Sequence, residues 1–502
     1  MAKAWIDTKY LDEIGEEIRH LGYAQYSQNN QFTLKEKEGT NQLKDIIKYI
    51  GQLNLSNSIS QEKLALEDIP ARCFVTEKNS VQNQPNIIIS ENHPLLVQGI
   101  KISDTQALVG WIEKISNKMY VRVLTKNDEN QWQLQGNKQI QFENIRCFDF
   151  CKLVNDSIIL GFTTDTNQGF LRLDINNGNV REHGEATIVN DMLIGDNNKM
   201  STAGFPQIKL WKSNDTEFGV ILWGKNDNQY GATISYRVNV YPYDTDPNGT
   251  VQPMATVPYS HLCSMYQGHG YTYLSYTTNY PYSLAVRHVS NSVIFVARVA
   301  LNDNVVTNTI RYVNGRWWEV GEESTQATVN GTGIITTEII SNSKAIVCYT
   351  GQQAVWAKIV TIQGNIASNP QKLLDGNFSR LELYKYNTDT YCLAAYGVGE
   401  NSNQSKLLKF KIDISNNTFT TIYQCSQEKM EGGSPVFMNN IDILTFASSY
   451  NAETQGRKLI ASPIKLNLGV MVAKQNDQII GVSSQKALQG EYCSVEVIRP
   501  EQ

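Results

Sequence analysis

Apolar runs alternate with short polar turns along this chain, and the alternation takes one form seven times. A turn rich in Asn, Asp and Ser is followed at once by an apolar run ending in an aromatic or small residue. It reads "SDTQALVGW" at Ser103–Trp111, "VNDSIILGF" at Val154–Phe162 and "SNDTEFGVILW" at Ser213–Trp223. It returns as "VSNSVIFVA" at Val289–Ala297, "SNSKAIVCY" at Ser341–Tyr349, "NTDTYCLAAY" at Asn387–Tyr396 and "NNIDILTF" at Asn439–Phe446. Anchored on Asp104, Asp156, Asp215, Asn291, Asn342, Asp389 and Asn440, the steps are 52, 59, 76, 51, 47 and 51 residues. A period near fifty with several strands per unit marks a β-propeller blade. Seven copies predict a closed ring of seven blades.

The runs are β-branched and aromatic and contain no proline, as buried strands require. Their neighbours "MYVRVLT" (Met119–Thr125) and "GFLRLDI" (Gly169–Ile175) set polar residues between apolar ones, the mark of a strand with one wetter face. A second turn signal closes a hairpin late in most repeats. It stands at Gln135-Gly136-Asn137, Asn177-Gly178-Asn179, Asn248-Gly249, Asn314-Gly315, Gln363-Gly364-Asn365 and Ser415-Asn416-Asn417. Gly and Asn reach the positive φ that tight hairpins need. Repeat three is the longest because Tyr241–Tyr282 inserts extra sequence. An unpaired strand edge invites aggregation, so "PNIIISEN" (Pro85–Asn92) is assigned the missing strand of the last blade, locking the ring's start to its end.

The ends read differently. Within Ile6–Ile50, Tyr10, Leu11, Ile14, Ile18 and Leu21 follow helical spacing, with Asp7 or Thr8 to cap the start and Gly22 to end it. A second helix is expected over Asn41–Tyr49, with Leu43, Ile46, Ile47 and Ile50 on one side. Two such helices must pack on something else, as a cap on the propeller or as a docking or oligomerisation element. The expected organisation is mainly β: a helical attachment leader over 1–52, a linker over 53–84, a seven-bladed β-propeller over 85–466 and a C-terminal β-module over 467–502.

Composition narrows the function. Basic and acidic side chains number 44 and 49, a net charge of −5 that gives no basic face for nucleic acid. No run of about 18 apolar residues exists, so no membrane insertion is expected. The first twenty residues lack the apolar core of a secretory signal, which implies synthesis in a cytoplasm. The eight cysteines are scattered; Cys348 and Cys392 lie within apolar runs and read as core residues, and free thiols are expected throughout. The six histidines show neither H-x-H nor H-E-x-x-H spacing, and "DINNGN" (Asp174–Asn179) reads as a hairpin turn and not as a calcium loop. No metal and no cofactor is expected. No catalytic residue is assigned: the nearest approach to a sialidase box, in "SNDTEFGVILW", places Gly219 two positions late. Most Asp and Glu read as turn residues, although paired carboxylates in the channel stay open as an alternative.

The segment Pro258–Tyr282 departs most from background. It carries Tyr259, His261, Tyr266, His269, Tyr271, Tyr273, Tyr276, Tyr280 and Tyr282, and these are the candidate binding residues. Tyrosine offers a rigid face and one hydroxyl at low entropy cost, which suits recognition and the stacking of sugar rings; the alternative is a packed strand face. "GRWWEVG" (Gly315–Gly321) is a smaller candidate, with Trp317 and Trp318.

The N-terminal motifs "YLDEIGEEIRHLG" (Tyr10–Gly22), "FTLKEKEG" (Phe32–Gly39) and "LKDIIKYI" (Leu43–Ile50) resemble the helical leader of tail and baseplate proteins of phages infecting low-GC Gram-positive bacteria. Gly15 and "HLG" depart from that pattern. The C-terminal stretch Asn467–Ile498, with Gly481-Val482, Gly490 and Val495-Glu496-Val497, is similar to the terminal β-module of phage tail-fibre proteins. "SNSKAIVCY" resembles their propeller repeats. The resemblance implies a non-enzymatic virion protein of a phage tail fibre or baseplate, made in the host cytoplasm. It further implies host-surface receptor binding by the propeller, and a homo-oligomer joined to other virion proteins through the N-terminal helices. A host cell-surface glycan is the expected target. The alternatives are a baseplate, neck or capsid decoration protein, and a carbohydrate-active propeller enzyme.

Overall fold

The computed structural model describes residues 23–26, 32–35, 59–71, 73–140, 142, 144–153, 157–164, 168–189, 192–194, 198–200, 207–214, 217–225, 231–240, 251–253, 284–290, 293–299, 305–313, 316–326, 331–362, 368–397, 405–426, 431–451, 456–473 and 478–497. Among these residues every regular element is a strand. The chain divides into two compact units. One holds Met1–Asn83, Asn439–Asp442 and Ile464–Gln502; the other holds Gln84–Met438 and Ile443–Pro463.

The smaller unit is built from both chain ends. β1 (Tyr23–Tyr26) pairs antiparallel with β2 (Phe32–Lys35). β3 (Ile59–Leu64) and β4 (Phe74–Asn83) precede the larger unit in sequence. From the other end come the last part of β34 (Gly456–Val472), β35 (Gln478–Ile479), β36 (Gly481–Ser483) and β37 (Tyr492–Val497). β35 joins β2, and the other strands run in the order β3-β37-β36-β4-β34. Ala65, Ile69, Cys73, Val75, Val470, Ala487, Cys493 and Val495 fill the core. Gly469 has to be glycine, since a Cβ there would lie 2.2 Å from the Leu64 carbonyl oxygen.

Two expectations change here. Phe32–Lys35, part of the stretch read as a helical leader, is a strand, and so is Tyr23–Tyr26. "FTLK" alternates apolar with polar residues, and pairing on both sides of β2 outweighs the helix-forming Glu and Lys that follow it. The helices expected over Tyr10–Gly22 and Asn41–Tyr49 lie outside the described residues. The stretch 53–84, read as a linker, carries two paired strands, β3 and β4.

The larger unit repeats one plan. The first antiparallel set is β6 (Pro94–Ser103), β7 (Gln106–Glu113), β8 (Met119–Lys126) and β9 (Trp132–Gln139). The second is β10 (Cys147–Lys152), β11 (Ser157–Thr163), β12 (Gln168–Asn176) and β13 (Asn179–Val189). A hairpin of β14 (Met192–Ile194) and β15 (Asn198–Met200) intervenes. The third set is β16 (Gln207–Asn214), β17 (Glu217–Lys225), β18 (Gly231–Val240) and β19 (Val251–Pro253). The fourth is β20 (Leu284–Ser290), β21 (Val293–Val299), β22 (Val305–Val313) and β23 (Arg316–Gln326). β24 (Gly331–Ser341), β25 (Lys344–Gly351), β26 (Ala354–Thr361) and β27 (Gln371–Asp375) form the fifth. β28 (Phe378–Lys385), β29 (Thr390–Gly397), β30 (Lys406–Asp413) and β31 (Thr418–Ser426) form the sixth.

The last set is β32 (Glu431–Phe437), β33 (Asp442–Asn451) and β34, with β5 (Ile87–Ser90) as its fourth strand. Ile87 and Ile88 pair with Ala461 and Ile460, as the sequence led us to expect of "PNIIISEN". First strands touch in succession: β6 on β10, β10 on β16, β16 on β20, β20 on β24, β24 on β28, β28 on β32, and β32 back on β6.

Every apolar run of the sevenfold pattern is the second strand of its set, which is the most buried place; Val293–Val299 and Thr390–Gly397 are buried throughout. Where the polar turn before a run is among the described residues, it caps its own backbone. Ser103 Oγ accepts from the Thr105 N–H at 3.3 Å and Ser341 Oγ from the Ser343 N–H at 3.3 Å. Asn387 Oδ1 accepts from Asp389 and Thr390 N–H at 3.1 and 2.8 Å. Such side-chain turns explain why Asn, Asp and Ser recur there. Apolar faces of neighbouring sets close on each other. Leu108 and Ile112 share a cluster with Phe148, Ile159 and Phe162. Val97, Val109 and Trp111 share one with Val436, Phe446 and the closing residue Ile89.

One turn assignment is corrected. Gln135-Gly136-Asn137 lies inside β9, where the register shifts by one residue opposite Arg122 and Val123. Its Gly and Asn make a bulge, and the hairpin itself is held by Asn127 Oδ1, which accepts from Glu129 and Gln131 N–H at 3.0 and 2.8 Å. The Asn177-Gly178 turn stands as read, with φ of 48° and 77°. The signals at Asn248-Gly249, Asn314-Gly315 and Gln363-Gly364-Asn365 lie outside the described residues.

Candidate functional site

The first strand of each set carries polar residues where an ordinary buried strand has apolar ones. Gln98, Asp149, Lys209, Glu382 and Ser434 are equivalent: each sits opposite the fifth residue of its own second strand, respectively Gly110, Gly161, Ile221, Ala394 and Phe446. Arg287 and Glu338 sit opposite the third, Phe295 and Ile346. Residues two apart on a strand share a face, so these form two adjacent levels on one side of successive first strands.

Side chains link these strands. The Arg380 guanidinium, only 1% exposed, donates to the Val97 carbonyl at 2.8 Å and to Gln98 Oε1 at 2.6 Å, and pairs with Glu382 at 2.9 Å. Gln98 Nε2 donates to Asp149 Oδ1 at 2.9 Å, and Asp149 Oδ2 accepts from the Leu210 N–H at 2.9 Å. One hydrogen-bonded chain therefore passes from β28 through β6 and β10 to β16. Arg287 Nε donates to Glu338 Oε2 at 3.0 Å, joining β20 to β24, and the Gly99 N–H donates to Ser434 Oγ at 2.9 Å.

The charges are balanced: Lys209, Arg287 and Arg380 against Asp149, Glu338 and Glu382. Burial by itself would raise the Glu382 carboxyl, but Arg380, Lys209 and Arg287 outweigh it and hold that carboxyl below its usual range. Burial works against the Arg287 charge, and Glu338, Glu382 and Asp149 overcome it. Groups from the second to the sixth sets thus lie within electrostatic reach of one another. Arg380, Gln98 and Asp149 are buried, whereas Arg287, Glu338 and Glu382 keep 32, 21 and 28% of their side-chain surface open. At Glu382 the arrangement favours the ionised, paired carboxylate and not a protonated general acid, whose pKa has to be raised.

Other chemistry is muted. Burial pushes the thiols of Cys147, Cys151 and Cys392 up to about 12, and the Cys348 thiol is raised as well, so they behave as the core residues expected of Cys348 and Cys392. Among the described residues no disulfide joins two cysteines, and no three His, Cys, Asp or Glu side chains gather to hold a metal. In "DINNGN", Asp174 is engaged by Arg172 Nε at 3.1 Å and His183 Nδ1 at 2.5 Å, beside a two-residue hairpin.

The tyrosine and histidine candidates Tyr259, His261, Tyr266, His269, Tyr271, Tyr273, Tyr276, Tyr280 and Tyr282 all lie outside the described residues. Trp317 and Trp318 lie on β23, opposite Tyr312 and Arg311. Sequence reasoning missed the polar groups of the first strands. It placed Asp and Glu mostly in turns, yet Asp149, Glu338 and Glu382 are on strands. The usable signal was positional: the strand before each anchor turn carries a polar residue six or seven positions ahead of the anchor, or four ahead in the case of Arg287 and Glu338.

No family model matches this chain, and no curated protein matches it. Similar solved structures include a protein of unknown function from Dyadobacter fermentans DSM 18053, at 10% identity and TM-score 0.41, covering 77% of this chain and 99% of that one. The Dos1 propeller is similar at 9% identity and TM-score 0.40, over 76% and 95% of the two chains. An Aleuria aurantia lectin mutant in complex with α-methyl-L-fucoside is similar at 10% identity and TM-score 0.35, over 68% and 97%. At these scores the fold rests on the strand pairing described above.

Proposed function

We propose that the seven four-stranded sets are the blades of one closed propeller, and that this propeller is a non-enzymatic recognition platform of a phage tail fibre or baseplate that contacts the host surface. The observation that carries the reading is the return of first-strand contacts from β32 to β6, together with the use of β5 to finish the last set. Such closure removes the exposed edges of an open sheet array. The axial carboxylates are engaged by cations, amides or a backbone N–H, which favours a scaffold over a hydrolytic centre. The phage setting rests on the motifs at the two chain ends, with Phe32–Lys35 departing from a helical leader.

On a rigid scaffold recognition belongs to inserted loops, and the tyrosine-rich insertion Tyr241–Tyr282, of which Val251–Pro253 forms the fourth strand of the third set, is the first choice for contact with a host cell-surface glycan. The test is binding of the isolated full chain to cell walls of low-GC Gram-positive bacteria, with Tyr271→Ala and Tyr276→Ala variants checked for folding. Loss of an aromatic hot spot of about 1–4 kcal/mol weakens binding roughly tenfold or more. Unchanged binding by both variants moves the site elsewhere. No binding by the unmutated chain favours a decoration role, and release of sugar from the walls favours an enzyme.

A further inference from the structure

Among the described residues seven that are not glycine have a positive backbone φ, and five of these are asparagine: Asn117, Asn130, Asn144, Asn177 and Asn417. Asparagine tolerates that conformation because its short amide bonds locally. The other two are neighbours, Gln352 and Gln353, with φ of 49° and 57°. They are the central residues of the hairpin between β25 and β26, in which Gly351 pairs with Ala354. A two-residue turn of this kind favours Asn-Gly, and two glutamines strain it. Backbone strain gathers at sites of recognition and catalysis. Both glutamines are exposed, and among the described residues neither side-chain amide has a hydrogen-bond partner.

The turn stands beside an oriented aromatic ring and an open ion pair. Trp356 is half-buried against the cluster that includes Tyr349 and Val360. Its Nε1 donates to the Gly351 carbonyl at 2.9 Å, which fixes the indole against the turn. Lys372 lies opposite Trp356, and Asp375 opposite Ala354. The register shifts between Val355 and Trp356, so Leu373 is the extra residue, and Lys372 and Asp375 both share the face of Trp356. Their ion pair of 2.8 Å leaves the two side chains 50 and 76% exposed. An exposed pair contributes little to stability, so both ends can turn to a ligand at small cost. The Gly376 N–H donates to the Gln353 carbonyl at 2.7 Å and ties the turn to the end of β27.

These groups suit one class of ligand. The indole offers an apolar face, the amides offer donors and acceptors, and the ion pair adds no net charge. A neutral sugar has the matching parts, a C–H face for the ring and hydroxyls at its rim for the amides and the pair. A site of zero net charge favours neither an anion nor a cation, and an apolar ligand leaves the amides unused. We propose that Gln352, Gln353, Trp356, Lys372 and Asp375 form a binding site for a neutral sugar ring on the fifth set. It takes the same class of ligand as the host-surface reading but stands on other residues than the tyrosine-rich insertion.

The experiment is calorimetric titration of the full chain with the methyl glycosides of glucose, galactose, rhamnose and N-acetylglucosamine, with sorbitol as a polyol that has no ring. At least one glycoside is expected to bind saturably and sorbitol not to. Gln352→Asn combined with Gln353→Gly should weaken that binding tenfold or more and raise Tm by about 1–3 °C, because it relieves the turn and removes the long amides. Trp356→Leu, which keeps apolar bulk and removes the ring face, should weaken binding by a similar factor. Absence of binding by every glycoside, equal binding of sorbitol, or full binding by the glutamine variant overturns the proposal. A Tm that does not rise in that variant overturns it as well. The host-surface reading fails separately, because Tyr271→Ala and Tyr276→Ala on cell walls decide it. Wall binding that is lost in those variants supports the insertion even where no glycoside binds.

Discussion

Replacing Arg380 by Met tests whether the hydrogen-bonded chain across the first strands holds neighbouring sets together. Methionine keeps the apolar stem but removes every donor. It leaves the Val97 carbonyl, Gln98 Oε1 and Glu382 without the guanidinium that now meets them at 2.6 to 2.9 Å. Breaking a buried ion pair from one side costs about 3–5 kcal/mol. Counting two orphaned neutral acceptors at about 1–3 kcal/mol each leads to the same range. Because Glu382 keeps 28% of its side chain open to water, the lower part, about 3–4 kcal/mol, is expected. The larger unit has about 380 residues. At about 2.1 cal/mol/K per residue its unfolding entropy makes this loss roughly 4–5 °C in Tm. The sign with pH follows from Glu382. Its folded pKa is depressed, so its stabilisation is present above the unfolded value of about 4.3 and is lost as pH falls through the lower folded value. The Tm gap between wild type and variant is therefore widest near neutrality and narrows as pH drops below about 4. Thermal unfolding followed by circular dichroism across pH reads both effects. A variant within a degree of wild type, or a gap that stays constant with pH, refutes the reasoning.

Three further outcomes are expected. Gly99→Ala places a Cβ 2.5 Å from Phe446 Cδ2 and 2.7 Å from Val436 Cγ2, so it should destabilise the larger unit by about 1–3 kcal/mol in denaturant unfolding. Burial lowers the Lys358 ammonium to about 8, which makes the folded state gain stability as pH rises from about 8 toward about 10.4; Lys358→Met should flatten that rise and stabilise the protein at neutral pH by up to about 3 kcal/mol, and a lower stability at pH 7 would contradict it. Ile89→Asp buries a charge in the closing strand at a position only 4% exposed, and limited proteolysis should then cut first in β5 or β34, whereas an unchanged pattern would show that closure does not depend on this strand.

What could be read from the sequence follows the strength of the physical signal. The second strands announced themselves because a fully buried strand tolerates little but apolar residues, and the turns before them because a side-chain cap needs Asn, Asp or Ser. The closing strand was legible from three consecutive isoleucines placed where an edge had to be paired. The polar groups of the first strands were not, since Arg380 and Glu382 acquire meaning only when Gln98, far away in sequence, is brought beside them. Gly136 misled because the same residue serves a tight turn and a bulge, and only the register with Arg122 and Val123 distinguishes them. Phe32–Lys35 misled because its sheet partner, Ile479, stands near the opposite end of the chain.

Closing the last set with β5 also has a consequence in time. Ile87–Ser90 are synthesised about 370 residues before their partners Leu459–Ala461. At translation rates of about 5–20 residues per second, the strand waits roughly 20–70 s for its place. During that interval β5 lacks its strand partner, although Ile89 can already pack on Val97, Val109 and Trp111 of the first set, and the brevity of β5 limits what else it can pair with. The six intervening sets can form locally as they emerge, each from consecutive strands. The first and last sets can meet only when translation is almost complete. A premature stop shortly before Leu459 would spare nearly all of the repeats and still leave the chain without its seam.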